Sequence, residues 1–498
     1  MSLQTRPLPP LGEEVRLAVE NLSWPPLLTR EWDPLEATRE KVVDGKGKLD
    51  AGAGTVAALA EDGVESLGSG PGEDGRGGVR VGGSRSLRVM SWNVLCDGLS
   101  GSHPEKGGFF LAPEESLDWE KRRWKILEEI LRWDCDILAL QEVDHHHDWL
   151  SPMLARSGYR SLFVKKPIAP GLAYDTAFED GCSLFYRADN PAVGRGKGGR
   201  GGGGVDGDGG ERGTSPTTLE LLDAHAFTFA VAEDLDEGAV GRDTGGEGTE
   251  RDDGGQPRRS VVQNQVAAIA LLRVRAGVDV GGDECARGPI DTEDGGEETL
   301  VVVATTHLKA AKDRDGEIIR ARQAQQLLDE VSRFRAGHEN GRGLPPDSIP
   351  LVVAGDFNAM PHAAPGTGND NGGGYDPMCY RRVMSHPLAL QSAFDVKDTF
   401  TTWKIRPANS KLATELNPSC GDGGDGGENL AGRIDSVTGK SRGTRESKHC
   451  IDYVWISRGL RAVRRSSLPS GERLGPARAP SFVYPSDHFA IAVQLRWT

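Results

Sequence analysis

The chain has 498 residues and a formal net charge of −15, with 67 glycines and only 37% hydrophobic residues. Such acidity works against non-specific binding to nucleic acid, which is driven by displacing counterions from phosphates. The glycine tracts cannot build a second core, so one core interrupted by flexible insertions is expected rather than the two or three domains the length permits. The seven cysteines, at 96, 135, 182, 285, 379, 420 and 450, are odd in number and form no CxxC. This argues against a disulfide framework or cysteine zinc site and for a reducing compartment, cytoplasmic by default with organellar targeting left open. The opening text MSLQTRPLPPLGEEV lacks the apolar stretch of a secretory signal, and Glu13 and Glu14 count against a transit peptide. No apolar run approaches a membrane span. The expectation is a monomer with no membrane contact.

Residues 1–84 run from proline-rich to Gly/Ser/Asp-rich text and read as a poorly ordered extension with one short helix between Leu35 and Leu59. Order is expected over 85–498, beginning at Leu87 with the buried strand LRVMSWNVL. Asp118 to Trp133 has helical spacing and an acidic N-cap. DILAL is a second buried strand, followed by a helix at Trp149 to Ser157 and a strand at Tyr159 to Val164. SLFYR, AFTFAVA, VVQNQVAAIALLRV, LVVVATTHL and PLVVAGDFN read as strands, with a helix from about Glu317 to Arg335. HCIDYVWIS and FAIAVQL complete the strands. Gly-rich breaks at about 190–216, 233–259, 276–297, 337–348, 363–376 and 408–446 fall between these elements, as surface-loop insertions do.

Two signatures in these tracts carry no chemistry. Gly194, Gly196 and Gly199 match GxGxxG but follow no strand and open no helix. Gly439-Lys440-Ser441 resembles the end of a P-loop, yet Ile434 stands where the first glycine belongs. His145 to His147 cannot all face one metal from a regular element and read as a polar loop or helix start.

The chemistry lies at the ends of apolar strands, where a rigid scaffold presents functional groups. Trp92-Asn93, Gln141-Glu142, Thr306-His307, Gly355-Asp356-Phe357-Asn358 and Ser486-Asp487-His488 stand there, and Asp452 lies in the apolar IDYVW. Singly, each polar residue is more often a cap or a satisfied core group. Together they form an inventory of oxygen ligands and two histidines, without a Ser or Cys nucleophile. That inventory suits Mg²⁺ or Mn²⁺ rather than zinc, and metal-assisted attack of water on phosphorus.

The order WN, QE, TH, GDFN, DY, SDH resembles that of the endonuclease/exonuclease/phosphatase superfamily, from about Leu87 to Trp497. The resemblance implies an α/β fold, a four-layer α-β-β-α sandwich of two packed mixed β-sheets flanked by helices, with its site at one rim. It implies that Glu142 is the Mg²⁺ ligand, with Mn²⁺ able to substitute, and that Asn93 and Asp487 help hold the metal and its waters. Asp356 and Asn358 resemble the pair that activates and positions the attacking water. Asp452 resembles the carboxylate that orients His488, and His488 and His307 would contact the scissile phosphate.

LEEIL, DILALQEVDH, KKP, DGCSLFY, NQVA, TTHLKA and TTWKIR narrow the resemblance to phosphatases that remove the 2′-phosphate of NADP(H). The matching substrate-binding positions are Lys166, Asn264, Lys309 and Arg406. One departure is Ala311, where that group carries an arginine; Lys312 follows one residue later. Alternatives are a 3′ exoribonuclease acting on poly(A), which would need a basic, aromatic-lined RNA groove, and a non-catalytic interaction protein, which would be expected to lack a motif residue.

Overall fold

The computed structural model describes residues 10–35, 86–103, 107–168, 179–188, 217–233, 249–251, 257–275, 298–311, 313–362, 376–394, 399–407 and 444–498. The first elements are helix α1 (Leu11–Asn21), strand β1 (Trp32–Pro34) and strand β2 (Ser86–Asn93). Next come α2 (Glu114–Leu117), α3 (Trp119–Trp133), β3 (Ile137–Val143), α4 (Ser151–Ala155), β4 (Tyr159–Lys165) and β5 (Gly181–Arg187). The middle of the chain forms β6 (Thr218–Glu233), β7 (Thr249–Arg251), β8 (Pro257–Arg275), β9 (Leu300–His307), α5 (Arg314–Arg342) and β10 (Leu351–Asp356). Then follow α6 (Met378–Met384), β11 (Gln391–Ser392), β12 (Thr402–Pro407), β13 (Thr444–His449), β14 (Asp452–Ile456), β15 (Leu460–Ser466), α7 (Gly471–Leu474) and β16 (Ile491–Trp497).

One sheet has the strand order β1-β15-β16-β2-β3-β5-β4, and the other β11-β14-β10-β9-β8-β6, with β7 on β8. Between them packs an apolar layer that includes Val89, Ala139, Val303, Ala354, Val454 and Val493. The outer face of the first sheet buries Met90, Trp92 and Leu138 against Ile126 and Ile130 of α3 and Val15 of α1. The outer face of the second buries Val302 and Val353 against Leu327, Leu328 and Val331 of α5. The result is the four-layer α-β-β-α sandwich of mixed sheets.

Local chemistry sets the helix ends. Asp118 caps α3 by accepting from the Glu120 N–H, and Asp313 caps α5 by accepting from the Gly316 N–H at 2.7 Å. Gly343, at φ 65°, closes α5 in the left-handed conformation that glycine adopts without penalty. The helix therefore runs seven residues past the expected Arg335 and takes in the first half of the break expected at 337–348.

Three other expectations are corrected. Residues 10–35 are no loose extension: α1 lies on α3, and β1 adds an edge strand to β15. The cause is a set of buried contacts scattered over Leu11, Val15, Leu28 and Arg30, too sparse to show as a periodic run. HCIDYVWIS is not one strand. It breaks at Cys450-Ile451, so that β13 pairs with β12 while β14 pairs with β10. The break expected at 233–259 contains β7 and the start of β8. The helix expected between Leu35 and Leu59 lies outside the described residues, as do most of the other glycine-rich breaks. No helix among the described residues is long and apolar enough to cross a membrane.

Gly355 sits where β10 lies parallel to β9, facing Thr306. A Cβ there would meet the Thr306 carbonyl oxygen at 2.1 Å, which backbone cannot yield without parting the strands. Gly355→Ala is expected to cost at least about 2 kcal/mol in urea unfolding; an unchanged midpoint would show that the strands separate freely.

Candidate active site

Strand alternation builds the site. In β2, Leu87 and Val89 face the layer between the sheets, so Ser91 and Asn93 do too. In β3, Ile137 and Ala139 point inward, which brings Gln141 to the same side, and its Nε2 donates to Thr305 Oγ1 across the sandwich at 3.3 Å. Val301 and Val303 of β9 predict an inward His307, Val352 and Ala354 of β10 an inward Asp356, and Val454 and Ile456 of β14 an inward Asp452. Register then places the last three side by side, because Asp356 is paired with His307 on one flank and with Asp452 on the other.

Glu142 would point outward by the same rule. The pairing of β3 with β5 slips between Leu140 and Val143, and Glu142 takes φ 55°, a left-handed conformation disfavoured for a glutamate. That departure turns its carboxylate inward, where Oε1 accepts from Asn93 Nδ2 at 2.9 Å. Asn358, at φ 50°, is bent likewise: its N–H donates to Asp356 Oδ1 at 2.9 Å and its Nδ2 to the Leu308 carbonyl at 3.0 Å. Local strain of this kind gathers at functional sites.

The Asp356 carboxylate is the meeting point. Its Oδ2 accepts from Asn93 Nδ2 at 3.1 Å and stands 3.5 Å from His307 Nε2 and 3.8 Å from His488 Nδ1. His488 Nδ1 is 2.9 Å from Asp452 Oδ2, which also accepts from Thr401 Oγ1 at 2.5 Å. Ser486 Oγ donates to the Asn93 carbonyl at 2.7 Å and accepts from the His488 N–H at 3.1 Å, and Trp92 Nε1 donates to the His488 carbonyl at 2.8 Å. Ser486-Asp487-His488 is thus tied to the end of β2 by two bonds and braced internally by the third.

These groups are almost fully buried, so the fields among them dominate. Burial would strip the His488 ring of its proton, but Asp452, Asp487 and Asp356 outweigh it and raise the ring to about 9. Burial, helped by Lys166, lowers His307 to about 3, so it is neutral, and its Nδ1 has no hydrogen-bond partner among the described residues. Burial and the neighbouring Asp452 raise Asp356 to about 7. Burial acts against the charges of Glu142 and Asp487 as well. Lys404, His488 and Arg406 nevertheless hold Asp487 well below the usual carboxylate range. The field of His307 and Lys166, with the Asn93 amide, lowers Glu142. Because His307 is neutral, the full charge that acts there is that of Lys166, while the Asn93 amide donates to the carboxylate.

Of the substrate-binding candidates, Lys166 is buried beside Glu142 and paired with Asp180 at 2.5 Å. Arg406 is partly exposed, 3.6 Å from Asp487 and stacked over Phe109 at 4.8 Å. Lys309 is half-buried, its N–H bonded to Gln323 Oε1. Asn264 stands at the rim, its side chain bonded to both the N–H and the carbonyl of Ile168, two residues beyond Lys166. Ala311 is held from behind, since Arg320 Nη1 donates to its carbonyl and to that of Lys309.

Three participants were missed in the sequence. Lys404 pairs with Asp487, Asp180 pairs with Lys166, and Thr401 links Asp452 to the N–H groups of Ile451 and Asp452. Two-residue spacing in TTWKIR puts Lys404 on the same side of β12 as Arg406, a signal that could have exposed it. His145 to His147 have other work. His145 stacks on Trp119 at 4.1 Å, and His146 bonds Ser183 and Ser161.

The donor set fits a hard divalent cation. Glu142, Asp356 and Asp487 bring carboxylate oxygens to one end of the sandwich beside the Asn93 amide, and Asp356, Asp452 and His488 place ligand atoms within 4.8 Å of one another. His488, positively charged and held by Asp452, already balances that second group. The oxygens around Glu142 offer a second place at which a hard cation could be held.

A sandwich with this rim defines a class of metal-dependent phosphoesterases and nucleases. The chain belongs to the endonuclease/exonuclease/phosphatase family, whose model matches residues 90–488. It is similar to Nocturnin of Xenopus laevis, 28% identical over 417 residues that cover 82% of this chain and 71% of that protein. Nocturnin of Homo sapiens is 27% identical over 422 residues, 83% of this chain and 65% of that protein, so the chain spans about two thirds of these relatives' length. The human Nocturnin catalytic domain, solved with a bound sulfate anion, aligns over 83% of this chain and 94% of that chain at TM-score 0.45 and 22% identity.

The raised His488 gives a pH signature. A ring at about 9 when folded and near 6.5 when unfolded adds stability in full below pH 6.5, and that stability is lost as pH rises to about 9. In chelator, His488→Gln is expected to lose more stability at pH 6 than at pH 10, by roughly 3 kcal/mol at most. Equal losses at both pH values would mean that the ring is not held as a cation.

Proposed function

We infer that this enzyme removes the 2′-phosphate of NADP(H) by attack of a water molecule, with Mg²⁺ held by Glu142, Asn93 and Asp487. The observation that carries the hydrolytic part is the Asp356 carboxylate. It is raised to about 7, anchored by Asn93 and Asn358, and set between a neutral and a charged histidine. A base with that value accepts a proton near neutral pH without being saturated. Water oxygen forms a bond to phosphorus as the ester P–O bond breaks, Asp356 takes the water proton, and the departing ribose oxygen takes a proton from solvent. Asn358 positions the water beside Asp356. His488, kept charged by Asp452, stabilises negative charge on the phosphoryl oxygens, and neutral His307 donates a hydrogen bond there. When bound, the cation adds Lewis-acid stabilisation of the same oxygens.

Support for the dinucleotide comes from the sequence resemblance and from the cations around the rim. Lys166, Lys404 and Arg406 suit the grip of one compact phosphate, and the acidic chain suits tracking along a polyanion poorly. Glu142→Gln is expected to lower kcat by several orders of magnitude while Tm holds, and EDTA to abolish turnover. Arg406→Ala should mainly raise KM, since a phosphate-holding arginine contributes to ground and transition states alike. Full activity in EDTA would overturn the metal-assisted mechanism. The substrate is decided by kcat/KM for NADPH against oligo(A) at one ionic strength: higher values for oligo(A) would replace the phosphatase by an exoribonuclease on the same machinery.

A further inference from the structure

We propose that Arg30, on the N-terminal segment, is a positioning residue for the catalytic loop Tyr484 to Ala490. Backbone bonds tie the segment to the residue just before that loop and to β15 and the residue after it. The Leu28 N–H donates to Val483, the Ser467 N–H to Glu31, and the Leu35 N–H to Val463. From between them the Arg30 side chain enters the protein and is 5% exposed.

A guanidinium has five N–H donors, and all five are met. Nε donates to the Ser467 carbonyl at 2.8 Å. Nη1 donates to Glu129 Oε1 at 2.9 Å and to Tyr484 Oη at 3.1 Å. Nη2 donates to Ser466 Oγ at 3.3 Å and to the Ala490 carbonyl at 2.5 Å. Tyr484 Oη in turn accepts from the Ala490 N–H at 2.9 Å and donates to Glu129 Oε1 at 3.1 Å. Arg30 therefore grips both ends of a seven-residue loop, at Tyr484 and at Ala490. Ser486, Asp487 and His488 all lie between these two points. The charge is balanced within the cluster by Glu129, and the guanidinium lies 5.3 Å from the Trp133 ring centroid.

Simple scaffolding would need no such arrangement. Apolar contacts of Leu11, Val15 and Leu28 already fix the segment to α3, and a buried ion pair adds little stability beyond what apolar packing gives. What a fully satisfied guanidinium adds is geometry: five directed bonds hold the two ends of the loop in one relation. A shift of about 1 Å in His488 or Asp487 costs catalysis far more than it costs folding. The inference rests on the phosphoesterase reading of the rim and does not depend on the identity of the substrate.

The test uses the full chain and two readouts. Arg30→Ala and Arg30→Lys are assayed on NADPH or oligo(A), whichever the unaltered protein turns over faster, below the unfolding transition of each variant. Amide hydrogen exchange is followed in the same proteins. Arg30→Ala is expected to lower kcat by about 10- to 100-fold with KM within about threefold, the split of a group acting only on transition-state geometry. Exchange should rise in 484–490 and not in 351–356. Arg30→Lys, which keeps the charge but cannot span both ends, should not restore kcat, whereas added guanidinium ion should partly rescue Arg30→Ala. If Arg30→Ala does not fold, Tyr484→Phe carries the test, since it deletes the hydroxyl shared by Arg30 and Ala490; it should show the same split in weaker form. Unaltered kcat in either folded variant, or exchange that rises equally in 484–490 and 351–356, overturns the proposal. If neither NADPH nor oligo(A) is turned over, the functional reading fails, and the exchange pattern alone still decides whether Arg30 holds the loop.

Discussion

The Asp356 carboxylate lies where the two sheets meet, 3.1 Å from the Asn93 amide of one sheet and 3.5 Å from His307 of its own. A buried anion is tolerated only when donors or cations stand against it, and here Asn93 arrives on β2, His307 on β9 and His488 on the loop before β16. His488 brings the compensating charge, and it holds that charge because Asp452, 2.9 Å from its Nδ1, acts together with Asp487 and Asp356. Asp487 is balanced separately, by Lys404 and Arg406. Displacing any one of these groups leaves another uncompensated, so the rim behaves as a unit. Its fidelity depends on strand register: a slip of one residue in β10 would turn Asp356 to the outer face and bring Gly355 or Phe357 to the row.

The sequence revealed most of this rim because strand ends are local. Asn93, His307 and Asp356 each terminate an apolar run, and alternation carries the inward direction to the last residue. Glu142 was legible as chemistry but not as geometry. Nothing in DILALQEV signals a left-handed residue that overrides the pattern. Asp452 was legible as an anomaly in an apolar strand, while the break before it was not, because Cys450 and Ile451 suit a strand and only the competing pairings of β13 and β14 part them. The N-terminal segment was the least legible. Its contribution rests on isolated side chains that meet partners more than 400 residues away, a separation over which periodicity carries no information.

The small sheet of β12 and β13 stands apart from both main sheets and attaches to the rim by backbone. The Phe489 N–H donates to Thr401, the Trp403 N–H donates to Asp487, and Thr402 bridges to His488. Both cations that balance Asp487 come from one side of β12, whereas the water-handling residues come from the sandwich itself. The two tasks are therefore carried by separable pieces of chain. On the proposed reading, hydrolysis is written into a core that tolerates little revision, and the phosphate grip, Lys166 aside, into a ribbon anchored largely through main-chain atoms. A lineage could exchange the side chains of that ribbon and acquire a new substrate while inheriting the hydrolytic apparatus unaltered.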